Sequence, residues 1–181
     1  MVADSVSPLK TDIPKIVSGG QTGADRAGLD WALSRGIVCG GWCPKGRKAE
    51  DGAIAAKYPL IETPSAAYVQ RTEWNVRDTG GTVIFSIERE LTGGSKKTVE
   101  FAVKHNKPFL HLYPSGIKDA AEKLRDFVAD NEIATLNVAG PRASKEPKVA
   151  EFARSRRRIR GPLRRRGEKP PLTARSSAGD A

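Results

Sequence analysis

Two short glycine-rich segments hold the residues best suited to chemistry: Gly19-Gly20-Gln21-Thr22-Gly23 and Thr92-Gly93-Gly94-Ser95. Each lies between an apolar run and a helical one. A helix N-terminus leaves backbone N–H groups unpaired, and its dipole favours an anion. Glycine lets a ligand approach the backbone closely, and Thr22 adds a hydroxyl donor. Two such turns at one sheet edge can face a single anionic group from both sides, so the expected partner is a phosphate-bearing or oxyanionic small molecule. On this reading, valine at Gly23 or Gly94 blocks the ligand and leaves the fold intact. Either segment alone also fits an ordinary tight turn. Neither is a standard nucleotide loop. The glycine order is G-G-x-x-G rather than G-x-G-x-x-G, no acidic residue ends the second apolar run, and no G-K-[ST] follows.

The segment "RTEWNVRD" places Arg71, Trp74, Asn75 and Asp78 on one helical face, too polar to be simply core. Arg71 and Asn75 therefore join the candidate ligand set. Truncating Arg71 to alanine is expected to weaken binding by about 1.5–3 kcal/mol, the range for a hydrogen bond to a charged group. In "GGWCPKGRKAEDG", Arg47 can meet an oxyanion bidentately, whereas Lys48 reads as solvated. Asp25, in the first turn of a helix, suits the dipole. Cys39 and Cys43 are spaced C-x-x-x-C without the further ligands a zinc site needs, so they read as buried or half-buried thiols and no direct metal site is expected. His105 suits a helix C-terminus, and His111 alternates with leucines in a strand. Neither has an evident nucleophile partner, and no catalytic residue is assigned.

These residues need a frame. Strand patterns in "KIVSG", "GIVCGGWCP", "PLIETP", "TVIFSI", "PFLHLY" and "ATLNVAG" alternate with helical ones. Ala24, Ala27, Gly28, Trp31 and Ala32 share a helical face, with Gly36 as a C-terminal cap. Ser65 is placed to cap "AAYVQRTEWNVRDT". In "IKDAAEKLRDFVADN", Ile117, Ala120, Ala121, Leu124 and Val128 form an amphipathic stripe. "KGRKAEDGAIAAKYP" reads as loop with one helical turn. The alternation predicts an α/β fold, a Rossmann-like three-layer domain over residues 13–154 with a mostly parallel sheet. Ligands of such sheets sit beyond the carboxyl ends of the strands.

The formal charge is +10, yet residues 154–181 hold ten of the 31 basic residues and two of the 21 acidic ones. The domain is nearly neutral, and residues 155–181 read as a disordered basic tail. Nucleic-acid association is expected only weakly, through that tail. A mean hydropathy of −0.46, no membrane-spanning apolar run and no signal peptide core place the expected location in the cytoplasm.

Taken together, "SGGQTGADRAGLD", "GGWCPKGRKAEDG", "TPSAAYVQRTEWNVRDTGGTVIF", "LTGGSKKTVEFA" and "NVAGPRASK" resemble the molybdenum carrier (molybdenum cofactor carrier-like) family over about residues 15–153. That family lies within the Rossmann-like lysine-decarboxylase-like/SLOG group. The resemblance implies a homo-oligomer with a pocket at the carboxyl edge of the sheet, and a ligand such as the molybdenum cofactor, a pterin bearing a phosphate. Residues 19–23 and 92–95 match the two ligand-facing loops of the group. The second resembles the P-G-G-x-G-T-x-x-E signature of phosphoribohydrolases, but Thr92 replaces the proline, Lys96 replaces the third glycine, and Thr98 is off its spacing. The alternatives are thus a ligand carrier and a hydrolase of nucleotide derivatives.

Overall fold

The computed structural model describes residues 14–115 and 119–155. The arginine-rich tail and Ile117 of the helical stripe lie outside the described residues. The chain builds β1 (Lys15–Val17), α1 (Ala24–Leu33), β2 (Cys39–Gly40), β3 (Trp42–Cys43), a 3-10 turn (Lys45–Arg47), β4 (Lys48–Ala49), β5 (Gly52–Ala53) and β6 (Ile61–Glu62). It continues with α2 (Tyr68–Arg77), β7 (Gly81–Phe85), α3 (Gly93–Lys104), β8 (Phe109–Leu112), α4 (Ala120–Asp130), β9 (Thr135–Ala139) and α5 (Val149–Ser155).

Five strands form the central sheet in the order β2-β1-β9-β7-β8, and every pairing is parallel. Side chains alternate across it. Ile16, Val83, Phe85, Leu112, Leu136 and Val138 join Ala24 and Ala32 of α1, Ala120 and Val128 of α4, and Val149 and Phe152 of α5 in the main core. Val76 of α2 packs with Phe101 and Ala102 of α3 in a separate cluster. The connection after β9 thus feeds one face, and the connection after β7 feeds the other. Neighbouring strands whose helices leave to opposite faces make a switch point, where ligands of such sheets bind. Here it lies between β9 and β7.

Two local readings change. Ser65 does not cap α2; its Oγ accepts from Ala67 N at 3.0 Å in a preceding turn, and α2 starts after Ala67. The loop after Cys43 contains an antiparallel hairpin, β4 with β5, that no periodicity signals because each strand has two residues. α3 begins at Gly93 with Thr92 as its N-cap residue, so the second glycine segment opens a helix as expected. Asp119 caps α4, accepting from Glu122 N at 3.0 Å. Among the described residues, no helix is long and apolar enough to cross a membrane.

Leu112 is fully buried in the main core. Leu112→Ala should lower unfolding free energy by about 2–5 kcal/mol, transfer loss plus cavity. Val103→Ala, at a position 68% exposed, should stay within about 0.5 kcal/mol. Urea titrations of the two variants check this ordering.

Candidate functional site

The β1–α1 turn is filled by the chain itself. Backbone N–H groups of Gly19 and Gln21 donate to the Asp25 carboxylate, the latter at 3.3 Å. Arg71 Nη1, from α2, lies 2.7 Å from the same carboxylate, with side chains 14% and 5% exposed. Burial pushes the Asp25 carboxyl up from its ordinary value; the Arg71 charge and hydrogen bond, with the backbone donors, offset this only in part, so the group stays raised. The glycines make room for protein rather than ligand. A Cβ on Gly19 would run into the Arg71 guanidinium, and one on Gly20 would lie 2.5 Å from Leu60 Cδ1. Gly23 has φ +85, and a Cβ there would lie 2.5 Å from Pro141 O.

A second set of contacts fastens residues 141–144 over this turn. Thr22 Oγ1 donates to Glu50 Oε1 and accepts from Ala143 N at 3.0 Å. Gln21 Oε1 accepts from Thr22 N and from Glu50 N, both at 3.0 Å. Glu50 also accepts from Ser144 N at 3.1 Å and from the Ser144 hydroxyl, with Arg142 Nε 3.9 Å away. Burial raises the Glu50 carboxyl, but the bonds from Ser144 and Thr22 and the Arg142 charge outweigh it, leaving the group below its ordinary value.

The α3 N-terminus is different. Thr92 makes no side-chain cap, and a Cβ on Gly94 would meet nothing within 4 Å. Lys145 Nζ lies 3.7 Å from where a Cβ on Gly93 would stand. An ammonium beside the positive end of a helix dipole is an arrangement that an anion between them would relieve. The space in front is a cavity of about 590 Å³ over the β9/β7 switch point, within the size range of small-molecule sites. Arg71, Arg142 and Lys145 line it with Asp25, Glu88, Glu90 and Glu146, and the buried Asn137 belongs to its wall. Arg71 Nε is buried without a hydrogen-bond partner. Tyr68 lies under two guanidinium groups, Arg71 at 5.9 Å and Arg142 at 5.6 Å from its ring centre.

Of the residues singled out from sequence, Gly19, Gln21, Arg71, Asn75, Thr92, Gly93, Gly94 and Ser95 line this cavity. Gly20, Thr22, Gly23 and Arg47 do not. Arg47 donates to the carbonyls of Ile54, Ala55 and Tyr58 at 2.9 Å and of Leu60 at 3.1 Å, shaping the loop after β5. Asn75 lies at the cavity, but its amide is engaged with Trp42, accepting from N at 2.8 Å and donating to O at 2.9 Å. Sequence reasoning missed Asn137, Glu88, Glu90, Arg142 and Lys145. The available signal was a third glycine at a strand end, Gly140, followed by Arg142 and Lys145. His111 does have a partner: its Nε2 lies 2.6 Å from Ser86 Oγ, on the neighbouring strand. Burial pushes His111 down. Ser86 donates its proton to Glu88 O at 2.6 Å and does not line the cavity. The pair fastens the β7–α3 loop instead of forming a nucleophile. Among the described residues, no group of three or more His, Cys, Asp or Glu is arranged to hold a metal ion.

The strand order also identifies the lineage. Moving β9 from the end of the chain to its start converts the sheet to the order 3-2-1-4-5 of the doubly wound fold. The circularly permutated YpsA SLOG family model matches residues 16–157. The chain belongs to this family. The crystal structure of the "Putative molybdenum carrier protein" from Syntrophus aciditrophicus SB, at 1.45 Å resolution, is 46% identical to it, with a TM-score of 0.78. That similarity covers 80% of this chain and 92% of the other. A search of curated proteins returned no match. Family membership accounts for the central position of a C-terminal strand, which brings Asn137, Arg142 and Lys145 to the cavity that the α3 N-terminus also lines.

The closed turn corrects the expectation that valine at Gly23 leaves the fold intact. Gly23→Val should lower the melting temperature sharply, because backbone at Pro141 must shift and the φ is strained. Gly94→Val should melt within a few degrees of the parent. Differential scanning calorimetry compares them. Glu50→Gln should destabilise at neutral pH. A depressed carboxyl stabilises above its unfolded value of about 4.5, and that contribution is lost as pH falls through the lower folded value. The gap between Glu50→Gln and the parent should therefore narrow on acidification below pH 4.5, measured by denaturant midpoints.

Proposed function

We propose that this protein holds a phosphate-bearing or oxyanionic small ligand of the molybdenum-cofactor class, with its anionic group at the α3 N-terminus, and carries it without transforming it. The observation that supports this reading is the positive charge at one end of the cavity, where Lys145 faces the uncapped start of α3 across from the carboxylates on the rest of the wall. The uncapped helix N-terminus, Lys145 and the Arg71 guanidinium share one cavity, and Gly94 leaves its backbone open. Unpaired N–H groups at a helix start and a nearby cation are what a phosphate needs.

The residues present fit such a cofactor. Gly93, Gly94 and Ser95 would hold its phosphate, with Lys145 as counter-ion. Glu88, Glu90 and Asn137 offer acceptors to the N–H groups of a heterocycle. The cavity wall supplies oxygen and nitrogen donors but no thiol or imidazole, so molybdenum would arrive on the sulfur atoms of its own pterin. The cofactor supplies that metal chemistry when bound; the protein binds, orients and shields. The relative named as a molybdenum carrier supports the same class.

Arg71→Ala, the probe suggested by sequence alone, is a poor test. It would leave Asp25 as a buried unpaired charge and cost about 3–5 kcal/mol of stability. Gly94→Val and Lys145→Ala are cleaner. Calorimetric titration with orthophosphate, molybdate and molybdenum cofactor should show binding to the parent. Lys145→Ala should weaken it by about 1.5–3 kcal/mol, as for a charge-assisted bond, and Gly94→Val should abolish it. Equal affinities in all three proteins would place the ligand elsewhere. Molybdenum co-purifying with the native protein should be extracted together with a fluorescent pterin. Conversion of a nucleoside monophosphate to free base would replace the carrier reading by the hydrolase one.

A further inference from the structure

We propose that Asp25 is a specificity residue: by filling the β1–α1 turn it restricts the cavity to ligands with a single phosphoryl or oxyanion group and disfavours diphosphates. This deepens the reading above and rests on it.

Two strand-to-helix turns open onto one switch point, and in principle both can bind a phosphoryl group. A diphosphate would use both turns. In this chain they are unequal. The N–H groups of Gly19 and Gln21, which would meet a second phosphoryl group, already donate to Asp25. Arg71 Nη1, the cation best placed to neutralise such a group, is 2.7 Å from the same carboxylate. The far side of the turn is covered as well. Pro141 O lies 2.5 Å from where a Cβ on Gly23 would stand, and Ala143 N is bonded to Thr22 Oγ1 at 3.0 Å. An incoming anion must therefore displace a carboxylate whose side chain is only 5% exposed, or lie beside it unpaired. The α3 turn carries no such internal anion. Thr92 makes no cap, and Gly94 is open. The Asp25 carboxylate thus stands in for a second phosphate. It also repels one, because like charges held close in a site of low dielectric cost more than in water.

The sequence is consistent with this division. Asp25 lies two residues after Gly23, at the second position of α1, where its carboxylate can reach back over the turn. Arg71 comes from 46 positions away, and only the glycine at position 19 leaves room for its guanidinium.

The test is isothermal titration calorimetry of the full chain with orthophosphate and pyrophosphate, on the parent and on Asp25→Ser and Asp25→Asn, each checked for folding by circular dichroism. The parent should bind pyrophosphate no more tightly than orthophosphate. Asp25→Ser frees the turn and Arg71. Its pyrophosphate-to-orthophosphate affinity ratio should rise at least about tenfold, the equivalent of one charge-assisted hydrogen bond. Asp25→Asn keeps an acceptor for the two N–H groups while removing the charge. Its ratio should fall between those of parent and serine variant, and it serves as the readout if Asp25→Ser does not fold. If the parent binds both anions with a clear preference for pyrophosphate, and folded variants leave the ratio unchanged, the specificity role is overturned while the anion site stands. If neither anion binds to parent or variants, the anion site itself is overturned, and this inference with it.

Discussion

The buried pair of Asp25 and Arg71 is the constraint around which the site is arranged. A carboxylate taken from water needs compensating partners. It finds them in the N–H groups of Gly19 and Gln21 and in a guanidinium from α2. That requirement fixes the β1–α1 turn, the absence of a side chain at Gly19, and the position of α2 over the sheet edge. It also leaves Arg71 Nε buried and unpartnered at the cavity. The turn that looks like an anion site is therefore satisfied internally, and the free donors are those of α3.

The second organising feature is the order of the strands. The strand contributed last in sequence, β9, lies in the middle of the sheet between β1 and β7. Its trailing segment, Gly140 to Glu146, consequently passes over the carboxyl edge between the two glycine turns. One side of that segment closes the first turn through Pro141, Ala143 and the Glu50 contacts. The other presents Lys145 to the second, while Arg142 lines the cavity near Glu50. Glu146 completes the link by accepting from Ile87 N at 2.5 Å, while His111 holds Ser86 and so the start of the same loop. The cavity is thus bordered by loops fastened to each other.

Membership of the circularly permutated YpsA SLOG family agrees with this arrangement. The permutation changes where the chain begins without changing the sheet order. The switch point survives, but a C-terminal loop now supplies cations there.

Sequence by itself determined a good deal. Alternating apolar runs and amphipathic stretches specified the α/β class, because strand and helix periods are local properties of the chain. Glycines at strand ends marked the turns, and the uneven distribution of arginine separated a nearly neutral domain from the tail. The order of strands and the availability of each turn were decided only by tertiary structure. Periodicity says that a segment is a strand but not which strand lies beside it, so the central position of β9 left no local trace. Nor does a glycine motif say whether its N–H groups face solvent, a ligand or the protein. Gly19 and Gly94 look alike in sequence. One accommodates an arginine from 52 positions further along the chain and the other accommodates nothing within 4 Å, because hydrogen-bond satisfaction of a buried carboxylate is settled by partners that only folding brings together.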